Sequence, residues 1–493
     1  MDTFDIAPWF ERKNLALLTD LYQLTMMAGY FKEGRGQIPV TFDYFFRSLP
    51  PHSGFAIFTG LESFLLYLKN LKFTKDDIDY LRSLKLFDED FLAFLKEFRV
   101  HLKITSVPEG TLVFPFEPIV QVEGPLLEAQ LVETALLNFL NYQTLIASKS
   151  ARVCLSAEPD PVIEFGLRRA HGPDGGTIAS RSAYIGGCVA SSNVMAGKIY
   201  GIPVTGTHAH SWVMSYQSEL EAFRAFARLY PQRCVLLVDT YDPIKSGIPN
   251  AIQVFKELRE QGFDVKPAIR IDSGDLARIS KVAYKMMLEA GFENPTIIGS
   301  NDLNEDLIAD LRRQGARINA WGVGTHLITS YDCPALNGVY KLVAVLREGA
   351  WESRIKITGN IEKSTDPGRK VPVRYYNEDG YLLGDVMYLE GEDYPKGGTV
   401  DARSRLFPHI GQKIEGIYYA EPLLKEVFRD GEIIIPLDSV HVIRERVRKQ
   451  MQALPEEYKR LRNPEVYRVL LSKQLGELKN HLWQNPEAGV VLQ

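Results

Sequence analysis

Cysteine is scarce in this 493-residue chain: Cys154, Cys188, Cys234 and Cys333 stand far apart, and no two form a CxxC pair. That spacing argues against a disulfide framework and a structural zinc site, and fits reduced thiols in the cytosol. No apolar run approaches the roughly 18 residues of a membrane span. The net charge is only −5, so no global field argues for nucleic acid or a membrane surface as partner, and a local basic pocket for phosphates stays open. The start, Met1-Asp2-Thr3-Phe4-Asp5, is acidic where a signal peptide would be basic and then apolar. Repeats of short period and low-complexity tracts are absent too. What remains is an ordinary globular balance, 45% apolar and 24% charged. At about 150 residues per domain, the length suggests roughly three domains, or two with one large. A cytoplasmic enzyme is expected.

The middle of the chain has the clearest rhythm. Short β-rich runs end in polar or glycine residues and are followed by helical stretches: Pro161–Glu164, Ile202–Thr207, Cys234–Asp239, Pro267–Asp272, Pro295–Ser300 and Ile318–Gly324. From Thr207 the ends fall at Asp239, Asp272, Ser300 and Thr325, steps of 32, 33, 28 and 25 residues, the length of a β-α unit. The runs are nearly continuous apolar stretches, as a parallel sheet covered on both faces requires. Helices are expected over Ala251–Gln261, ending at Gly262, and Ser273–Ala290, ending at Gly291. Glu164, Thr207, His210, Asp239, Arg270, Asp272, Ser300 and Thr325 all sit at or just past a strand's C-terminal end, where barrel active sites are built. This favours a parallel α/β barrel, complete or incomplete, over a doubly wound sheet. The flanks mix helices (15–30, 61–71, 75–84, 128–148, 439–454) with strands (40–46, 112–115, 119–123, 338–345) and read as α+β. The expected domains are 1–150, 151–335 for the barrel, and 336–493.

Each chemical motif also has a plainer reading. Arg168 and Arg169 precede a glycine-rich loop, and arginine forks suit phosphate oxygens; a surface arginine pair would look the same. His208 and His210, at i and i+2 past a strand, could share a metal, yet no third ligand stands at convincing spacing. A single nucleophilic or acid–base histidine is the alternative, and a structural hydrogen-bonded one the third. Asp239 and Asp272 sit on strand tips, where acids hold Mg²⁺ or sugar hydroxyls; Asp272-Ser273 would also serve as a helix N-cap. Gly299-Ser300 and Gly322-Val323-Gly324-Thr325 end the last two strands, where barrels build phosphate sites from backbone amides. Tyr22 and Arg47 read by pattern as a helix start and the end of an amphipathic strand.

Together these segments resemble the nicotinate phosphoribosyltransferase family. The matching stretches are TDLYQLTM (19–26), FDYFFRSLP (42–50), EFGLRRAHGPDGG (164–176), GTHAHSW (206–212), VDTYD (238–242), RIDSGDL (270–276), GSND (299–302), WGVGT (321–325), GVYKLVAV (338–345) and IKITGNIEKSTDPGRK (355–370). The resemblance implies a type II phosphoribosyltransferase fold, an irregular α/β barrel with a flanking α+β domain built from the N- and C-terminal segments. It implies a homodimer with shared sites. It implies transfer of phosphoribosyl from phosphoribosyl pyrophosphate to nicotinate, giving nicotinate mononucleotide and pyrophosphate, coupled to hydrolysis of ATP with Mg²⁺, in NAD salvage. On this resemblance His210 is the histidine that ATP phosphorylates, and His208 is incidental. Phe165 and Tyr22 sandwich the pyridine ring, with Tyr22 reaching a partner's pocket. Arg168, Arg270 and Thr207 contact the nicotinate nucleotide, and Asp239 and Asp272 the ribose or Mg²⁺. Gly299, Ser300, Gly322, Gly324 and Thr325 cradle the 5′-phosphate. Arg47, Lys341, Lys356 and Lys363 match basic residues around pyrophosphate and ATP phosphates. Asn193 stands where nicotinamide-using relatives carry an acid, which favours nicotinate. The rivals are a nicotinamide-using phosphoribosyltransferase and a Mg²⁺-dependent aldolase or hydrolase barrel.

Overall fold

A computed structural model describes residues 14–357, 363–485 and 490–491. The acidic start and residues 358–362 of the IKITGNIEKSTDPGRK stretch lie outside them. The chain divides into two compact units, Ile146–Pro334 and Met1–Leu145 with Ala335–Gln493. No helix among the described residues is long and apolar enough to cross a membrane.

The unit Ile146–Pro334 is built on six parallel strands. Their order across the sheet is Ala190–Ser191, Val162–Glu164, Ala320–Val323, Thr296–Gly299, Ala268–Ile271, Val235–Leu237. Every neighbouring pair is parallel. The first strand in sequence therefore lies beside the last, and the curled sheet stops short of closing between Ala190–Ser191 and Val235–Leu237. This is the incomplete form of the barrel that the polar residues at the strand ends favoured. The interior is apolar in the expected way, with Leu236, Ile269, Ile271, Ile297, Trp321 and Val323 all buried.

Two expectations for this unit need correction. Ile202–Thr207 forms no strand of the sheet. It makes one isolated bridge, Ser191 to Val204, through two backbone hydrogen bonds at Ser191. Pro203 has no N–H to give, Gly201 before it turns through the left-handed region (φ 70°), and Val204 stays 45% exposed. The sixth strand is instead the two-residue Ala190–Ser191. The second correction concerns the helix expected from Ser273. It runs Leu276–Glu289, and its N-cap is Asp275, whose carboxylate accepts the Arg278 N–H at 2.9 Å. Asp272 and Ser273 are thereby left free of capping duty. The stop signals hold: Gly262 and Gly291 take φ of 87° and 83°, which a side chain would resist.

In the other unit both ends of the chain share one eight-stranded sheet. Pro39–Phe46 pairs with Val120–Pro125 on one side and with Gly338–Arg347 on the other, antiparallel in both cases. A second, six-stranded sheet comes wholly from the C-terminal segment. It pairs Lys370–Tyr376 with Leu382–Leu389 antiparallel, and the latter with Val469–Leu471 in parallel. Arg374 lies opposite Asp385 in this register, and the two make a fully buried ion pair at 2.7 Å that also receives the Tyr467 hydroxyl at 2.8 Å. The helix expected over 128–148 is two, Leu126–Leu131 and the 25-residue Glu133–Ala157.

A buried set of charges fixes the STDPGRK loop. Lys370 pairs with Asp43 at 2.8 Å, and Asp366 with Arg405 at 2.7 Å and Lys479 at 2.6 Å. Burial opposes ionisation of Asp366, but Arg405 and Lys479 prevail and hold its pKa at about 2.

Candidate active site

The strand tips of the parallel sheet converge on Arg270. Its position, inside an otherwise apolar strand (Ala268–Ile271), places the guanidinium among the neighbouring tips. Nε donates to the Ser300 hydroxyl at 2.8 Å, Nη1 to the Thr207 hydroxyl at 3.3 Å, and Nη2 to Asp272 Oδ1 at 2.8 Å. The guanidinium carbon lies 5.3 Å from the centre of the Phe165 ring, within cation–π range. One side chain thus ties together Ser300, Thr207, Asp272 and Phe165.

The acids form a second layer. Asp272 Oδ1 also accepts from the Ser300 hydroxyl at 2.6 Å. Burial works against its charge, yet Ser300 and Arg270 outweigh it, with help from His210, and the carboxyl is held below the usual range. Asp239 Oδ2 accepts the Asp272 backbone N–H at 2.8 Å and the Ser273 hydroxyl at 2.6 Å. Its other oxygen, Oδ1, is buried and has no hydrogen-bond partner. An acceptor in that state is suited to a substrate hydroxyl or a cation.

The two histidines separate cleanly. His210 opens the short helix His210–Met214 with its side chain 40% exposed. Nδ1 lies 3.1 Å from the Thr240 hydroxyl and Nε2 lies 3.9 Å from Asp272 Oδ2. His208 is buried, and its Nε2 accepts the Leu237 N–H at 3.1 Å. Burial drives its pKa down to about 4, so it stays neutral near pH 7. With Nε2 so engaged, His208 does not offer that nitrogen to a metal shared with His210.

Glycines make room for Phe165. A Cβ on Gly322 would stand 2.6 Å from the Phe165 ring, and one on Gly324 would stand 3.2 Å from its carbonyl oxygen. Gly299 packs instead on Ile318. Thr325 starts the four-residue helix Thr325–Ile328, and Arg168 is exposed on the 3-10 turn Leu167–Arg169. Asn193 is almost wholly buried and occupied locally. It caps the helix Val194–Tyr200 by accepting the Ala196 N–H at 3.2 Å, and its amide donates to Ser180 at 3.3 Å.

Glu164 is the residue whose work sequence reasoning missed. Fully buried, it accepts from the Gly166 N–H, from Ser180 at 2.9 Å and from Ser191 at 2.6 Å. It thereby fastens the turn carrying Phe165 to a helix and to the next strand. Glu164→Ala would strand the Gly166 and Ser191 donors, while Ser180 keeps the Gly176 carbonyl at 2.9 Å, a loss on the order of 3 kcal/mol. The thermal unfolding midpoint should fall by several degrees, and an unchanged midpoint would remove Glu164 from this role. Thr240 and Ser273 were missed as well. Each is a hydroxyl directly following a strand-tip aspartate, and that repeated pairing was the available signal.

The remaining expected residues lie in the other unit. Tyr22 is 48% exposed on the helix Leu21–Lys32, and partial burial, with Glu133 and Asp20, raises its hydroxyl pKa. Arg47 Nη2 reaches the Lys363 carbonyl at 3.5 Å. Burial draws the Lys341 ammonium below its usual range; Glu133 counters this, while Lys356 and Arg47 push further down. Arg47, Lys363 and Arg405, with Phe116 and Tyr467, line a cleft of about 740 Å³.

Comparison with known proteins shows the family and the fold. Family models match in series: the nicotinate phosphoribosyltransferase N-terminal domain over 17–141, the nicotinate phosphoribosyltransferase family over 161–371, and its C-terminal domain over 369–479. The nicotinate phosphoribosyltransferase of Bacillus subtilis is 45% identical over 468 residues, covering 94% of each chain. The human protein of that name is 35% identical over 526 residues, with 94% of this chain and 96% of the human one covered. A crystal structure of human nicotinic acid phosphoribosyltransferase superposes with a TM-score of 0.83 at 32% identity, covering 94% of this chain and 99% of that one. A nicotinate-nucleotide pyrophosphorylase from Pyrococcus furiosus shares the fold, with a TM-score of 0.70 at 23% identity. With three family models in order along the chain and such a relative aligned nearly end to end, the chain belongs to the nicotinate phosphoribosyltransferase family.

Proposed function

We propose that the protein transfers the phosphoribosyl group of phosphoribosyl pyrophosphate to nicotinate, with hydrolysis of ATP, in NAD salvage. The observation that carries the reading is the Arg270 hub, which sets a guanidinium beside the Phe165 ring and against Asp272, Ser300 and Thr207. A flat anionic ring can lie on Phe165, and an arginine suits its carboxylate. Arg168 is the second candidate for that carboxylate.

In the transfer, the bond from the ribose C1′ to the pyrophosphate oxygen breaks and the leaving group takes the electron pair. The pyridine nitrogen, unprotonated at neutral pH, donates its lone pair to C1′, so no general base is required. Asp239 Oδ1 would accept from a ribose hydroxyl, and Asp239 with Asp272 would hold Mg²⁺ together with substrate phosphates. Bound there, the ion would neutralise charge on the leaving pyrophosphate. Gly299, Ser300, Gly322, Gly324 and Thr325 would cradle the 5′-phosphate, and Arg47, Lys341, Lys356 and Lys363 the pyrophosphate and ATP phosphates. His210 is the phosphoryl acceptor: an N–P bond forms, ADP leaves with the electron pair of the broken P–O bond, and water later releases phosphate. The reading includes a homodimer, in which Tyr22 and its exposed neighbours Leu18 and Leu21 meet a second copy.

The test is one assay of purified protein with phosphoribosyl pyrophosphate and each pyridine, with and without ATP. Nicotinate is expected to be preferred over nicotinamide by at least about 100-fold in kcat/KM, because an arginine-lined site rejects a neutral amide lacking the charge. Equal use of nicotinamide would overturn the assignment.

A further inference from the structure

We propose that Thr240 is the positioning residue of His210; this rests on the reading of His210 as phosphoryl acceptor. The helix that His210 opens has no side-chain cap at Ala209, and no residue other than Thr240 is hydrogen-bonded to its ring among the described residues. The other ring nitrogen faces Asp272 Oδ2 at 3.9 Å, too far for a hydrogen bond. The ring's rotation about its stem is therefore set by the Thr240 hydroxyl at 3.1 Å.

Thr240 can do this because its strand tip is tied to that of Asp272. Asp239, the residue before it, accepts the Asp272 N–H at 2.8 Å and the Ser273 hydroxyl at 2.6 Å. The two tips are thus cross-linked by the neighbours of the groups that flank the imidazole. Asp272 Oδ1 is in turn held by Ser300 and Arg270, which leaves Oδ2 facing the ring. The hydroxyl and the carboxylate keep a fixed separation, and the imidazole spans it. A hydroxyl that donates or accepts with equal ease can follow the ring nitrogen through loss and gain of a phosphoryl group.

The test compares Thr240→Val, which keeps the shape and loses the hydroxyl, with Thr240→Ser, which keeps the hydroxyl. Two readouts are taken on the whole protein: the rate of labelling from γ-labelled ATP, and the ¹⁵N resonances of the His210 imidazole. Thr240→Val should slow labelling by at least about 10-fold with the KM for ATP within about 3-fold, since misorientation costs rate rather than binding. Its His210 Nδ1 resonance should shift, and Thr240→Ser should restore both readouts. Equal impairment of the two variants, or Val labelled at the unsubstituted rate, would overturn the proposal. Should the unsubstituted protein take no label, the phosphoryl-acceptor reading fails by itself. The ring resonances then decide the role of Thr240: a shift confined to Val supports it, and none refutes it.

Discussion

Replacing His210 by alanine should abolish labelling of the protein by ATP and uncouple ATP hydrolysis from nicotinate, while slow ATP-independent nucleotide formation persists. The loss in coupled hydrolysis should reach at least about 10³-fold, the scale on which removal of a covalent nucleophile is felt. The size of the effect follows from the lack of a substitute. His208, two residues away, is buried with Nε2 committed to the Leu237 N–H, and its pKa of about 4 records how unwelcome a charge would be there. The ring of His210 is, by contrast, 40% exposed, with Thr240 at Nδ1 and Asp272 facing Nε2. The check is the ratio of ADP formed to nicotinate mononucleotide formed. If that ratio is the same in His210→Ala as in the unsubstituted protein, the acceptor is another group.

Arg270→Lys is the second large effect. Lysine keeps the charge and loses the fork. Three donors now reach Ser300, Thr207 and Asp272 in three directions, and the planar guanidinium lies over Phe165. A single ammonium can replace one of these contacts. The Ser300 and Thr207 hydroxyls then lose a donor, and Asp272, now held below its usual pKa with the guanidinium's help, becomes easier to protonate. For nicotinate, kcat/KM should fall by about 10²- to 10³-fold, roughly 3–4 kcal/mol of transition-state stabilisation. Steady-state kinetics on a variant whose thermal unfolding is unchanged would measure it. Activity within about 3-fold of the unsubstituted protein would show that the hub is structural scaffolding.

Much of this site could be read from the chain before any coordinates, and the reason is physical. Cys234–Asp239 and Pro267–Asp272 are apolar runs closed by an acid, and in a covered parallel sheet such acids can emerge only at the strand ends. Arg270 betrayed itself by interrupting one of those runs. The plainer reading of Asp272-Ser273 as a cap failed because Asp275, three residues on, does that work. What could not be read depended on partners distant in sequence. Ala190–Ser191 is too short to have a period. Glu164 looked like another strand-tip acid, and only its donors, Gly166, Ser180 and Ser191, reveal it as a fastener. The C-terminal sheet escaped notice because Leu382–Leu389 pairs in parallel with Val469–Leu471, more than 80 positions away, and nothing local announces such a pairing.

An unclosed barrel has two margins, and each is a row of backbone groups that another chain could extend. Here both margins are minimal, Ala190–Ser191 at one and Val235–Leu237 at the other. A stub of two or three residues offers too few rungs to recruit a foreign strand, and Pro203 further blunts the first. The same brevity that hid one of these strands from view leaves little edge backbone for a second chain to extend.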